Sequence, residues 1–367
     1  MDEVGAEEDG DLFGEAREEE ADGQGDEISE GEVEEMAPKR VAPDPGMPSQ
    51  AEVDEHEVDH TPYRQWCEEC VAGRGTGEPH GASKGANEMS VVEFDYLFCI
   101  NKVVYRREEL DEEARAGAIK ILVVKDTKSK AIFAHVVPQK GVDAAGYSVA
   151  RLVEDVKWLG YSKLLLRSDN EAAIVSLLKN ALRQLKTEGI EQVAREAPPS
   201  YDSRAQGSVE NAVKQVQGVL RSIKLGFEKH IGGPLPESHP VFSWMVEWVA
   251  WILTSRTRGS DGRTAFQRVR GRPFGKRLLE IMELCLYKLP VKGPERDAVG
   301  KLGARWRRGI FLGFNRMTSE YLLWDEGNVI KARAIQRIKK PLRWPVAAYN
   351  SVRHGPNCMY EALEHAR

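Results

Sequence analysis

Val91-Val92-Glu93-Phe94-Asp95-Tyr96-Leu97-Phe98 is the stretch from which the fold is read. Branched and aromatic residues fill it, and such side chains suit a pleated, buried strand. Asp95 stands in its middle, flanked by Phe94, Tyr96 and Leu97. A charge inside an apolar strand is costly unless it is paired or metal-bound. Asp95 is therefore a candidate ligand, with an ordinary structural acid as the plain alternative.

Outward from this strand the pattern is α/β. Ile119 to Val124 and Ala131 to Val137 are expected as two more strands, joined by the turn Asp126-Thr127-Lys128-Ser129. Residues 144–158 are amphipathic and predicted helical. Lys163 to Arg167 is a short apolar strand ending at Ser168-Asp169-Asn170. Ile174, Leu177, Leu178, Ala181, Leu182 and Leu185 follow helical spacing. Gln192 to Glu196 reads as a fifth strand, broken by Pro198-Pro199. A long helix from about Gly207 to Phe227 carries the stripe Val209, Val213, Val216, Leu220, Ile223 and Phe227. A Trp-rich helix over 240–255, with Trp244, Trp248 and Trp251, reads as a buried packing helix.

The two ends differ from this centre. Residues 1–60 hold 23 Asp/Glu against 3 Lys/Arg, whereas residues 61–367 hold 35 against 49. The acidic start has too few large apolar residues to offset its ordering entropy and is expected to be disordered. The basic remainder suits a polyanion such as nucleic acid, with a merely solvated surface as the plain reading. Leu284 to Leu289, Arg307 to Phe314, Ser319 to Trp324 and Asn328 to Ala334 read as short strands. Between Lys288 and Lys340, 13 Lys/Arg face 5 Asp/Glu, and a small basic β-barrel is expected. The predicted order is an acidic disordered leader (1–55), a His/Cys zinc-binding-like module and linker (56–88) and an α/β core (89–258). A linker (259–283), the basic barrel (284–345) and a tail (346–367) complete it.

No run of 18 apolar residues occurs, so no transmembrane helix is expected. The acidic N-terminus has no apolar signal region, so secretion is not expected either. Five cysteines, an odd count with Cys67 and Cys70 close together, favour a reducing, intracellular compartment and a metal site over disulfides. Nuclear and cytoplasmic locations both remain open. No phosphate-binding loop and no Gly-x-Ser-x-Gly nucleophile elbow is present.

Three carboxylates carry the chemistry. Two-metal phosphoryl transfer needs hard oxygen ligands that converge from separate elements. Asp95 lies in a strand, Asp169 directly after one, and Glu210 in a helix beside its apolar stripe. Singly, each is more often a cap, a turn residue or a dipole partner. As an ordered set on strand, strand and helix they are far more specific.

The set resembles the Asp, Asp, Glu signature of retroviral and retrotransposon integrases, an RNase H-like fold with a mixed five-stranded sheet flanked by helices. Ser168-Asp169-Asn170-Glu171 resembles the family's second-aspartate motif. Ser203-Arg204-Ala205-Gln206-Gly207-Ser208-Val209-Glu210 resembles its Ser-x-x-Asn-Gly-x-x-Glu, with Gln206 for the usual Asn. Gly262-Arg263-Thr264-Ala265-Phe266 and Gly271-Arg272-Pro273 resemble phrases of Copia-like elements, as does Arg308 to Phe314 with Ser319 and Tyr321. The spacings between the acids are longer than is usual, and the charged stretch Asn101 to Ala116 is expected as a looped insertion.

The resemblance implies the integrase region of a Copia-like LTR retrotransposon polyprotein. Its activity would be 3′-end processing and strand transfer of element DNA into target DNA. Asp95 and Asp169 would share one Mg²⁺ or Mn²⁺, and Asp95 and Glu210 a second. DNA ends, target DNA and further copies of the chain would be its partners. Lys214 and Arg221, on the face of Glu210, are candidate DNA contacts, with a solvated helix face as the alternative. Arg305, Arg307 and Arg308, interleaved with Trp306, are also candidates, with a charged strand edge as the alternative. The competing function is a degenerate or co-opted integrase fold that binds DNA without cutting it. A different RNase H-like nuclease or a cut-and-paste transposase is the third reading.

His56, His60, Cys67 and Cys70 fall in the order His-x3-His-x6-Cys-x2-Cys. Their types and pair spacings match structural zinc ligands. The resembled family carries a His, His, Cys, Cys module just ahead of its core, with a far longer gap between the pairs. Six residues are too few for a helical module inside the gap, so His80 is an alternative to His56 as fourth ligand. Cys67 and Cys70 are common to both sets. Two free thiols in a truncated module are the plain reading.

Overall fold

The computed structural model describes residues 44–75, 90–100, 103–106, 117–168, 171–190, 192–196, 203–292, 300 and 302–358. The quoted strand is β1, Val91–Ile100. Val92, Phe94, Tyr96 and Phe98 on one face and Val91, Glu93, Leu97 and Cys99 on the other are all buried. Both sheet faces are therefore covered, which explains a near-continuous apolar run in place of alternation.

Five further strands join β1: β2 (Val103–Arg106), β3 (Ile119–Asp126), β4 (Ile132–Val137), β5 (Lys163–Ser168) and β6 (Gln192–Glu196). Their order is β4-β3-β1-β5-β6, with β2 paired to the distal half of β1. β3 and β4 run antiparallel to their neighbours, while β5 and β6 continue parallel from β1. Helices α3 (Tyr147–Leu159), α4 (Ala172–Thr187), α5 (Ser203–Ile231) and α6 (Pro240–Arg256) flank the sheet. They follow α1 (Gln50–His56) and α2 (Glu68–Arg74) of the His/Cys segment. This mixed sheet fits the α/β core that the integrase resemblance implies. Strand β2 is a correction to the looped insertion, because part of that stretch extends β1 into a hairpin. The rest of Asn101 to Ala116 lies outside the described residues.

Helix α6 is apolar all round, with 13 of its 17 residues buried. A helix of that kind must be enclosed. β4, α5 and the C-terminal sheet enclose it. Ile132 of β4 donates its N–H to Thr254 Oγ1 at 2.9 Å, and that hydroxyl donates back to the Ile132 carbonyl at 2.7 Å. On the other side Trp248 meets Phe311 edge-on with centroids 5.1 Å apart, and Trp251 meets Phe274 at 5.1 Å.

The C-terminal sheet has five antiparallel strands: β7 (Leu284–Lys288), β8 (Trp306–Phe314), β9 (Tyr321–Asp325), β10 (Asn328–Ala332) and β11 (Ile335–Arg337). Their order is β10-β9-β8-β7-β11. β11 was too short to read from sequence. The stretches read as a linker and a tail each contain a short helix. The 259–283 linker contains α7 (Ala265–Arg270), begun by a capping box at Thr264 and ended by Gly271 at φ 70°. The tail contains α8 (Val346–Asn350), and the His354 carbonyl accepts from Trp244 Nε1 at 2.9 Å. Each is held through one aromatic residue, Phe266 against Trp158, Trp251 and Phe274 and Tyr349 against Phe227 and His239, too few anchors to leave a periodic pattern. Residues 50–55, assigned to the leader, form the body of α1, whose capping box is built by Ser49 and Glu52.

A polar knot is buried where β4, α3, α6 and the β8–β9 turn meet. His135, fully buried, lies 2.8 Å from Asp155 Oδ2 through Nε2 and 3.1 Å from Glu247 Oε1 through Nδ1. Arg316 Nη1 reaches the other Asp155 oxygen at 2.5 Å, and Arg151 Nη2 reaches Glu247 at 3.1 Å. Burial alone would push the Glu247 carboxyl up, but Arg151 and then His135 outweigh it and draw the group from 4.5 down to about 2. A depressed carboxylate contributes stability above its unfolded pKa and loses it as pH falls through the folded value. Urea melts of the parent are expected to lose that contribution between pH 4.5 and about 2. Glu247→Gln should flatten the slope in this window. An unchanged slope would remove Glu247 as its source.

Candidate functional site

The His/Cys segment is built from two seven-residue helices, one at each side of the gap. His56 is the last residue of α1, Cys67 is the N-cap of α2, and Cys70 sits in the first turn of α2. His60 lies between them at φ 52°, a left-handed position that few non-glycine residues take, with histidine among the more frequent. The six-residue gap therefore needs no helix of its own, since the helices lie outside it. This removes the geometric reason for considering His80 in place of His56, and His80 itself lies outside the described residues.

Ligand atoms of His56, His60, Cys67 and Cys70 all lie within 4.8 Å of one another, and all four residues are buried. His56 Nε2 is 3.3 Å from Cys70 Sγ, and His60 Nδ1 is 3.4 Å from Cys67 Sγ. A tetrahedral ion with bonds of about 2.3 Å to sulfur and about 2.05 Å to nitrogen separates S and N by about 3.6 Å. The donor set and its span fit zinc. The two thiols shift each other in opposite directions: contact with Cys67, then with His56 and His60, lowers Cys70, while contact with Cys70 and burial raise Cys67. Thiolate character is what a soft metal needs. Arg74 Nη2 also donates to Cys70 Sγ at 3.3 Å.

Glycines let this module dock on α5. A Cβ on Gly73 would sit 2.3 Å from Ser222 Oγ and 2.9 Å from Ser222 N, so the two helices touch backbone to backbone. A Cβ on Gly226 would meet His60 Nε2 at 2.9 Å. Gly73→Ala is expected to cost about 1–3 kcal/mol of stability by overpacking. Its module should show faster amide exchange than the parent. Parent-like exchange across residues 50–75 would contradict this contact.

The carboxylates are placed as follows. Asp95 is half-buried in β1, opposite Val123 of β3, and its Oδ1 accepts from the Tyr96 N–H at 2.7 Å. Asp169 lies outside the described residues. Ser168, just before it, pairs with Phe94, just before Asp95. Glu210 lies in α5, which packs against β1 and β3. Because α5 begins at Ser203, Glu210 is two turns into the helix and not one. Gly207 lies inside the helix, where the sequence suggested its start.

Glu93 was passed over in the sequence although it shares the Asp95 face by the two-residue repeat. It is 2% exposed, and Arg167 Nη1 reaches it at 3.1 Å. Burial pushes its carboxyl up, opposed by the Ser208 hydroxyl and by Arg167. At the far end of the sheet Lys140 pairs with Glu171 at 2.7 Å and lies over the Phe98 ring at 5.2 Å.

The expected DNA contacts divide. Lys214 is exposed on α5 and Arg308 is exposed on β8. Arg221 Nη1 donates to the Gly73 carbonyl at 2.8 Å, so its head is tied to the His/Cys module. Arg307 pairs with Asp325 at 3.2 Å and Glu326 at 2.7 Å. Arg305 is exposed, and its carbonyl accepts from Leu289. The motif glycines of this sheet have structural work. A Cβ on Gly309 would meet Tyr287 Cδ1 at 3.1 Å, and Gly313 takes φ 128° at a bulge after Phe311.

No protein-family model matches the chain, and no curated protein matches it. Among solved structures it is similar to the HTLV-2 integrase catalytic core domain in complex with magnesium, in its trimeric form. That likeness has 14% identity and a TM-score of 0.33 over 49% of this chain and 95% of that one. The dimeric form gives 15% identity and 0.33 over 50% and 97%. A simian T-cell lymphotropic virus intasome in complex with PP2A regulatory subunit B56 gamma gives 13% identity and 0.34, over 78% and 98%. Fold and site together define an α/β mixed-sheet core preceded by a His₂Cys₂ group. Among the described residues no helix is long and apolar enough to cross a membrane.

Proposed function

We propose that the chain is an integrase-type DNA strand transferase of a Copia-like element. In this reading Asp95, Asp169 and Glu210 hold two Mg²⁺ or Mn²⁺ ions, and the His₂Cys₂ group holds zinc. The observation that carries it is the parallel register of β1 and β5. Phe94 stands opposite Ser168, and the next residue after each is an aspartate. Helix α5, with Glu210, packs on that same sheet.

When bound, the two ions would activate an attacking oxygen and stabilise the leaving one. The chain's own residues would do the rest. β1 would present Asp95, Asp169 would follow the end of β5, and α5 would bring Glu210. Lys214 would meet a DNA phosphate, and Arg308 would add a second contact on the small basic sheet, read here as a barrel. Zinc would join α1 to α2 and so fix the module that also holds Arg221. Further copies of the chain would complete the assembly on DNA.

Strand transfer of a labelled duplex carrying the element's ends, with Mg²⁺ or Mn²⁺, tests this. Parent protein should form products, and Asp169→Asn should reduce them by at least about a hundredfold, the scale of losing one electrostatic stabiliser. Equal activity in both would remove Asp169 from the mechanism. No activity in either would favour the DNA-binding alternative.

A further inference from the structure

A cavity of about 370 Å³ opens on the flank of α5 beside the β3–β4 turn. Lys125, Lys130, Arg258 and Arg268 line it together with Ser208 and Asn211, and no acid is among its lining residues. Asp261 already compensates Arg268, and Asp126 and Glu93 act on Lys125, so the excess positive charge at this space is that of Lys130 and Arg258. Two of the four cations are fixed. Arg268 is held by both Asp261 oxygens, at 3.0 Å through Nε and 2.5 Å through Nη2. It also donates through Nη1 to the Ser129 carbonyl at 2.8 Å. Lys125, 8% exposed, donates to the Lys130 carbonyl at 3.0 Å. Lys130 and Arg258 are exposed, and neither forms an ion pair among the described residues.

We propose that this cavity binds a phosphate group, and that its source is the backbone of a nucleic-acid strand. Burial, and next the nearby Lys130, pull the Lys125 ammonium down to about 8, a strain that an entering anion relieves. Ser208 and Asn211 add neutral donors in the same wall. Position supports the strand as source, because Asn211 adjoins Glu210 in α5. That part rests on the integrase reading. The affinity for phosphate does not.

Two measurements on the full chain, both without divalent metal, test the site. The first is the salt dependence of labelled-duplex binding by fluorescence anisotropy. The second is thermal melting with and without inorganic phosphate at constant ionic strength. The Lys130→Ala/Arg258→Ala double variant should lower the slope of log K against log salt by roughly 1.8, the share of two phosphate neutralisations. It should also lose the upward phosphate shift in Tm, while melting like the parent without phosphate. Lys130→Arg/Arg258→Lys should retain both. Phosphate stabilisation of the parent with an unchanged slope would keep the cavity as an anion site but reject the strand in favour of a free phosphate. Phosphate stabilisation with no duplex binding by the parent would sink the nucleic-acid reading and leave the anion site standing. No phosphate shift in the parent and no slope change in the variant would overturn the proposal.

Discussion

Removing metal from His56, His60, Cys67 and Cys70 is expected to unfold residues 50–75 while the mixed sheet stays folded. Helices α1 and α2 have seven residues each, well below the length at which an isolated helix is stable in water. Their buried contents are mainly the four ligands, with Asp59 and Gly73. Such a segment has little apolar area of its own to offset its ordering entropy. Structural zinc in small modules supplies about 10–16 kcal/mol of apparent binding energy, which is then folding energy. A chelator, or Cys70→Ser, should abolish amide protection across the module and release Arg221 from the Gly73 carbonyl. Atomic absorption should find one zinc per parent chain. Full protection in a metal-free parent would show that packing on α5 suffices.

The second large effect lies in the buried knot. Asp155→Ala should destabilise the chain by about 3–5 kcal/mol, because it strands Arg316 and His135 without their shared carboxylate. Arg316 belongs to the turn between β8 and β9, so the loss should loosen the C-terminal sheet from α3 as well. Replacing both charges, as Asp155→Leu with Arg316→Met, should recover most of the loss, since well-packed apolar residues often equal a buried ion pair. Urea melts that place Asp155→Ala within 1 kcal/mol of the parent, a span set by the scale of surface pairs, would contradict this account.

Much of the core was legible because its signals are periodic. The run Val91 to Phe98, the strands from Ile119 and Lys163, and the stripe Val209 to Phe227 each repeat a burial pattern over several residues. What escaped was short or held from a distance. β2 and β11 are four and three residues long. α7 and the docked tail depend on Phe266, Val352 and the Trp244 hydrogen bond, which leave no period in the sequence. Glu93 was hidden beside Asp95, because a strand acid that pairs with a distant Arg167 looks like any surface acid. The His/Cys spacing was legible as a ligand list. Its geometry was not, since nothing local shows that helices flank the gap and leave its interior free. The four-cation cavity draws on β3, the β3–β4 turn, α5, the loop after α6 and α7, which only the fold brings together.

In the proposed function, Asp95, Asp169 and Glu210 share two divalent ions. Counting Mn²⁺ by electron paramagnetic resonance on the zinc-loaded chain addresses it without any DNA substrate. The account predicts two bound ions in the parent, with Asp95→Asn weakening both because it would touch each, while Asp169→Asn and Glu210→Gln each weaken one. The same number of ions held at the same affinity in all three variants would contradict it.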